Sequence, residues 1–331
     1  MNIAFFSCQP YEQAFLEKAN GNHRHKLTFL TQPLTLETAP LAAGHQAICV
    51  FVNDQLNRPI LQALARQGIR LVALRCTGFN QVDVPAAQEL GIRIVRVPAY
   101  SPHSVAEHAV ALLLSLNRKT YLAYQRTKDN NFTLDGLMGF DLYGKRVGVV
   151  GTGKIGAAFA RIMLGFGCHV LAYDKAQSTV LQELGVNYLP LNDVLSGVDV
   201  ISLHCPLTPE THHLIDTSTL ARMQPGTYLI NTSRGGLLNT PAVLESLQSG
   251  HLGALGIDVY EQEIDFFFAD WSGRDLPDAD LNTLTHLPNV LVTSHQGFFT
   301  REAMEQITRT TLNNLTYLEQ SQLPVDTSLV A

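Results

Sequence analysis

The sequence predicts an α/β protein of two Rossmann-like, doubly wound parallel-sheet domains, with a dinucleotide-binding domain inserted in a second domain. Three observations predict it. Short apolar runs alternate with helical patterns along the chain, as expected of parallel sheets covered on both faces. A glycine fingerprint, Gly151-Thr152-Gly153-Lys154-Ile155-Gly156, starts only near mid-chain, so a separate α/β region precedes it. The length, 331 residues, suits about two domains, each with its own core.

The first hundred residues place candidate strands at Asn2–Ser7, Leu27–Leu30, Ala47–Val52, Arg70–Leu74 and Arg93–Val97. Helix-like segments lie between them at Tyr11–Ala19, Pro59–Gln67 and Val84–Leu90, and Gly68 and Gly91 follow two of these as stop signals. No GxGxxG occurs there, so the dinucleotide belongs elsewhere. After Pro98–Pro102 a long helix is expected over Ser104–Lys128, with Ser104 and Glu107 spaced as a capping box. A polar connection, Asp129–Gly144, leads to the fingerprint. Further strands are expected at Val198–Leu203, Thr227–Asn231, Ala254–Val259 and Val290–Thr293, and a final amphipathic helix at Arg301–Leu318. Residues 101–298 then form the cofactor domain, and 1–100 with 299–331 form a flavodoxin-like substrate domain. A cleft is expected at the two crossings, where small-molecule sites commonly occur.

The fingerprint is persuasive because of its setting. Val147–Val150 reads as a strand, Ile155–Phe166 as a helix, and His169–Tyr173 as a second strand closing on Asp174. Gly151 permits the tight turn, Gly153 lets a pyrophosphate approach the backbone, and Gly156 lets the helix lie close on the strand. The helix N-terminus favours the anion. Asp174, 18 residues after Gly156, is placed to accept the ribose diol and to prefer NAD(H) over NADP(H), with Lys175 next to it as a partly neutralising cation.

Composition narrows the partners. Hydrophobic content is 46%, charged content 16% and net charge −6, which describes a globular protein and disfavours nucleic acid and anionic membrane. Five scattered cysteines without CxxC spacing indicate buried thiols in a reducing compartment. No signal peptide is evident, and the apolar run Ala109–Leu116 is too short for a bilayer span, so a cytoplasmic location is expected.

Three strands of the cofactor domain end in reactive side chains. Thr227–Asn231 leads to Arg234, Gly256–Val259 to Glu261 and Glu263, and Asn289–Thr293 to His295. An arginine, an acid and a histidine beside a nicotinamide are what reduction of a 2-keto acid needs. The guanidinium forks onto the carboxylate, the histidine delivers a proton, and the acid holds the imidazole by its other nitrogen. The residues alone leave Glu261 and Glu263 as alternatives, and His204 as a rival to His295. His212-His213 suggests a metal to the eye. Adjacent side chains diverge on a helix or turn, however, and no further ligand is spaced with them, so no metal is expected. His108 reads as a hydrogen-bonded packing residue. Phe266–Phe268 with Trp271 reads as a segment packed against the other domain, and Cys76 as packing.

These words resemble the D-isomer-specific 2-hydroxyacid dehydrogenase family, and within it the fermentative D-lactate dehydrogenases. The resemblance spans the chain through Leu74–Asn80, Val95–Ser101, Val105–Ala109, Gly151–Gly156, His204–Thr208, Asn231–Gly235, Asp258–Glu263 and His295–Thr300. It implies Arg234, Glu263 and His295 as the catalytic set, with NAD as cofactor and pyruvate and D-lactate as the substrate pair. It implies that Asp258 helps hold the nicotinamide carboxamide. His204, Cys205, Pro206, Thr232 and Ser233 are placed against the cofactor with the glycine word. Thr77, Gly78 and Tyr100 are placed at the substrate, with Phe298 and Phe299 near its far wall. A homodimer or homotetramer is expected. Gly236 and Asn239 depart from the alanine and aspartate usual after the arginine. Other short keto acids, and a dinucleotide-sensing scaffold, are the competing readings; a formate dehydrogenase lacks the glutamate, and an L-lactate dehydrogenase opens on its fingerprint.

Overall fold

The computed structural model describes residues 1–320, 322 and 328–331. The chain forms two compact units, one of Met1–Ser101 with Phe299–Ala331 and one of Pro102–Phe298.

The first unit has a five-stranded sheet of β1 (Asn2–Phe5), β2 (Lys26–Phe29), β3 (Ala47–Val50), β4 (Leu71–Leu74) and β5 (Arg93–Arg96). Every pairing is parallel and the order is β2-β1-β3-β4-β5, the flavodoxin arrangement. The inner strands are apolar on both faces because helices cover both, which is why they read as runs rather than alternations. The helix Arg301–Glu319 completes the core: Leu312, Leu315 and Leu318 pack with Ile3, Phe5, Ala73 and Val95.

The carboxyl edge of this sheet holds a buried ionic network. Arg75 Nε donates to Glu12 Oε1 at 2.8 Å, and Nη2 donates to the Ser7 carbonyl at 2.8 Å. Asp54 accepts from Ser7 Oγ at 2.7 Å and from the Phe51 and Leu34 amides. A buried charge is tolerated when it is paired and hydrogen-bonded in this way. The network fixes the end of β4, from which Cys76-Thr77-Gly78 departs.

The second unit has a seven-stranded sheet of β6 (Arg146–Val150), β7 (His169–Tyr173), β8 (Asn187–Tyr188), β9 (Val200–Leu203), β10 (Thr227–Asn231), β11 (Leu252–Ile257) and β12 (Val290–Val292). All pairings are parallel, in the order β12-β11-β10-β9-β6-β7-β8. The winding reverses between β6 and β9, which is the switch point where such sheets bind ligands. The carboxyl ends of all seven strands therefore share one edge.

Two local expectations are corrected. The long helix is two, Pro102–Arg118 and Thr120–Lys128, broken at Lys119 with φ +48°. The segment around Gly139 docks on the last turn: the Asn117 side chain bonds both the amide and the carbonyl of Phe140, at 2.8 Å each. A Cβ on Gly139 would lie 2.3 Å from the Asn117 carbonyl oxygen, so the packing is backbone on backbone. The first helix also starts at Pro102, so Ser104 lies inside it rather than at its cap; proline at the first helical position is preorganised for that role.

Candidate active site

The glycine turn after β6 is built as a cradle. Gly151 has φ +92°, and a Cβ there would lie 2.6 Å from the Cys205 amide nitrogen. A Cβ on Gly156 would lie 1.9 Å from the Gly151 carbonyl oxygen, which is how the helix Lys154–Gly165 sits so close to the strand. A Cβ on Gly153, by contrast, would meet no other part of the protein within 4 Å. Gly153 is the N-cap of that helix and supplies no side-chain cap, so the amides of the first turn face open space. A buried hydroxyl, Thr232 Oγ1, also has no partner among the described residues. These features fit a dinucleotide.

Asp174 ends β7. Its carboxylate accepts the Thr152 amide at 2.5 Å and hydroxyl at 3.2 Å, and the Ala176 amide at 2.9 Å. Burial pushes its pKa up, but the Ala176 and Thr152 donors outweigh that and hold it below the ordinary value. The acid is therefore charged. Tyr188 on β8, which sequence reasoning passed over, completes the turn: its hydroxyl donates to Thr152 Oγ1 at 2.8 Å and accepts the Ser178 amide.

His204 follows β9, with Ser202 Oγ 2.9 Å from Nε2 and the Phe159 ring 5.0 Å away. Burial pushes its imidazole down to about 3, although part of its surface meets solvent. Burial likewise pushes the Cys205 thiol up to about 11. The histidine has a consequence for stability. The unfolded imidazole gains its proton near pH ~6.5, the native one only near its depressed pKa. Across that window the unfolded chain binds more protons, so stability falls as pH falls. His204→Asn should flatten the decline in urea midpoint between about pH 7 and about pH 5. An unchanged slope would assign it to other groups.

The residue expected to carry the proton is held from three directions. His295, just beyond β12, has φ +53°, a left-handed conformation uncommon for residues other than glycine. Its amide donates to the Asp258 carbonyl at 2.7 Å. Its Nδ1 lies 2.8 Å from Glu263 Oε1, and the other oxygen of Glu263 accepts the Tyr260 amide at 3.0 Å. The carboxylate assigns the Nδ1 proton and leaves Nε2 for another partner. Geometry separates the two glutamates: Glu261 instead meets His213 Nε2 at 2.6 Å and accepts Thr240 Oγ1 at 3.0 Å.

Next to His295 lies a buried polar cluster. Asp258 is 1% exposed and accepts Thr293 Oγ1 at 2.6 Å and the Gln296 and Gly297 amides at 2.8 Å each. His108 Nε2 lies 3.0 Å from Thr293 Oγ1 and 3.3 Å from Asp258 Oδ1. Burial opposes the charge on Asp258, yet the His108 and Thr293 donors hold its pKa below the ordinary value. Both oxygens of Asp258 thus serve the His295 loop, and a Cβ on Gly297 would lie 2.9 Å from one of them. No single stretch of sequence signals a cluster drawn from residues 108, 258 and 293.

Arg234 follows β10. Its Nη1 donates to the Ser233 carbonyl at 2.6 Å, and the Arg234 carbonyl accepts from Asn231 Nδ2 at 2.8 Å. Ser233 Oγ donates to the Cys205 carbonyl at 2.6 Å, tying this segment to the end of β9. A Cβ on Gly235 would lie 2.0 Å from the Tyr260 carbonyl carbon, so the arginine segment packs on the backbone that leads to Glu263. At Gly236 a Cβ would meet Leu207 at 3.1 Å, and Asn239 caps the helix Thr240–Gln248 through the Ala242 amide, a role aspartate also fills.

The remaining expected residues divide between the units. Lys154 and Ile155 open the fingerprint helix, and Pro206 is exposed after Cys205. Thr77 and Gly78 leave β4 of the first unit, where Arg96 Nη1 donates to the Thr77 carbonyl at 2.8 Å; Tyr100 follows β5. Phe298 is buried in the second unit, whereas Phe299 belongs to the first, half-exposed and edge-on to Tyr11 at 4.7 Å. Phe266 and Phe267 pack on their own unit's core, and the Phe268 ring lies 6.2 Å from His295. The divergence expected of His212 and His213 is also corrected: their rings stack at 3.8 Å.

The profile of the family "D-isomer specific 2-hydroxyacid dehydrogenase, NAD binding domain" matches residues 110–297. The chain is 48% identical to D-lactate dehydrogenase of Escherichia coli strain K12, over 97% of this chain and 98% of that one. It superposes on the pyruvate reductase of Chlamydomonas reinhardtii with TM-score 0.92 at 42% identity, covering 98% of both chains. It also matches an NAD-complexed D-isomer specific 2-hydroxyacid dehydrogenase from Lactobacillus delbrueckii ssp. bulgaricus, with TM-score 0.81 at 29% identity and full coverage of both. With a parallel sheet whose carboxyl edge carries the fingerprint, the arginine and the Glu–His pair, the chain belongs to the D-isomer specific 2-hydroxyacid dehydrogenases.

Proposed function

We propose that the chain is an NAD-dependent D-lactate dehydrogenase, reducing pyruvate with His295 as general acid and Arg234 as substrate anchor. One observation carries this reading. Along a single sheet edge, β12 presents His295, β11 Glu263, β10 Arg234, β9 His204, β6 the glycine turn and β7 Asp174. The proton and carboxylate groups thus stand at one end and the ribose acid at the other. β12 and β6 are four strand spacings of ~4.8 Å apart, or roughly 19 Å.

Bound NADH supplies a hydride to the keto carbon. The protein's part is electrostatic and geometric. Arg234 presents two parallel N–H donors to a carboxylate and polarises the adjacent carbonyl. His295 Nε2–H gives its proton to the oxygen as charge develops there, and takes it back in the reverse direction. Glu263 on Nδ1 fixes the ring and balances the imidazolium. Asp258, with Thr293 and His108, keeps the His295 backbone in its left-handed state. Thr77, Gly78 and Tyr100 keep the substrate role that the resemblance implies. The D configuration rests on the relatives. A homodimer or homotetramer, which sedimentation would distinguish, and a cytoplasmic location complete the proposal. No described helix is long and apolar enough to cross a membrane.

Asp174 sets cofactor choice in this reading, because its charge repels a 2′-phosphate. NADH should be preferred over NADPH in kcat/KM, and Asp174→Ala should narrow the preference; equal efficiency in the unaltered protein would contradict the role. Acid selectivity tests the substrate assignment. One methylene changes binding by only about 1–3 kcal/mol, so discrimination should be graded. Pyruvate should give the highest kcat/KM, 2-ketobutyrate and glyoxylate less, and 2-ketoisocaproate least. A best rate with a branched acid or hydroxypyruvate would move the assignment to another acid of the same family.

A further inference from the structure

The turn after β9 holds a second cluster of donor atoms that hydride transfer does not use. We propose that His212, His213 and Glu261 bind a divalent transition-metal ion, zinc foremost. The backbone makes the cluster possible. In a helix or strand, adjacent side chains diverge, but His213 has φ +52°, and this left-handed residue turns the two rings onto the same side. They stack at 3.8 Å with 29° between planes. Glu261, from the segment after β11, closes the group, and one ligand atom from each of the three lies within 4.8 Å of the others.

The carboxylate is preset. One oxygen meets His213 Nε2 at 2.6 Å, and the other accepts Thr240 Oγ1 at 3.0 Å. His212 is exposed, so an ion has a path in. Two imidazoles and a carboxylate suit zinc and its neighbours rather than calcium or magnesium, and three protein ligands leave a position for water. Such an ion would join the turn after β9, the segment after β11 and, through Thr240, the helix Thr240–Gln248.

Asn239 sets how tightly. Its Oδ1 is committed to the Ala242 amide, so its Nδ2 faces His213 Nδ1, at 3.3 Å. That donor selects the tautomer whose Nε2–H points at Glu261. A metal needs the Nε2 lone pair, and therefore a proton on Nδ1 with an acceptor beside it. Asn239→Asp provides the acceptor, keeps the helix cap, and completes a carboxylate–histidine–metal relay of the kind worth about 10–100-fold in affinity.

The test is equilibrium dialysis of Zn²⁺ against the whole chain, with Co²⁺ as a spectroscopic probe. One ion per chain is expected. His212→Ala and Glu261→Gln should each weaken it at least about tenfold, and Asn239→Asp should tighten it about 10–100-fold. Co²⁺ should show visible bands of nitrogen and oxygen ligation without thiolate charge transfer. The proposal is overturned by absent binding at about millimolar Zn²⁺, well beyond any specific site. Affinity indifferent to the His212 and Glu261 substitutions, no gain from Asn239→Asp, or a thiolate band would each overturn it too.

Discussion

Replacing His295 with alanine should remove most turnover while leaving NADH bound as before, with kcat for pyruvate reduction falling roughly 10²–10⁴-fold. The size follows from the local wiring. Glu263 occupies Nδ1 at 2.8 Å, so the proton for the substrate oxygen comes from Nε2, and alanine offers no donor in its place. The backbone should tolerate the change less easily than a typical surface site, because φ at 295 is +53°. His295→Asn, which adopts that conformation more readily, therefore serves as the control for folding. Fluorescence titration of NADH separates chemistry from binding. Near-normal turnover in both variants would remove the histidine from the reaction.

The second large effect belongs to Arg234. Arg234→Lys keeps the charge but loses the planar fork, of which one nitrogen is already tethered to the Ser233 carbonyl at 2.6 Å. A point charge attracts the substrate carboxylate without aligning or polarising the carbonyl. Both kinetic constants should therefore move: KM rises, kcat falls, and kcat/KM drops by roughly 10²–10³, or about 2.7–4 kcal/mol, the cost typical of losing one preorganised donor. A change confined to KM would reduce the arginine to gathering substrate.

Much of the site was legible because local chemistry dictates it. The strands of both sheets are buried on two faces, so they appear as apolar runs, and the glycine turn has to be glycine where a Cβ would strike backbone. Asp174, Arg234 and His295 stand at strand ends, where a parallel sheet delivers its ligands. What escaped was decided at a distance. The helix breaks at Lys119 because Gly139 docks on Asn117. Glu261 and Glu263 are equivalent in an extended segment, but the tight turn at Glu263–Asp265 parts them, sending one to His213 and the other to His295. His212 and His213 converge only because one backbone angle is positive. The contacts of Asp258 with the His295 loop and His108 were likewise beyond reach, because they join residues far apart in the chain.

In the proposed reaction pyruvate receives its hydride at this sheet edge in one stereochemical sense. Mixing the protein with NADH and a limiting amount of pyruvate, and separating the product on a chiral column, tests it most directly. One D-lactate is expected for each NADH oxidised. L-lactate as the product, or NADH left unoxidised with pyruvate and every other short 2-keto acid, would contradict it.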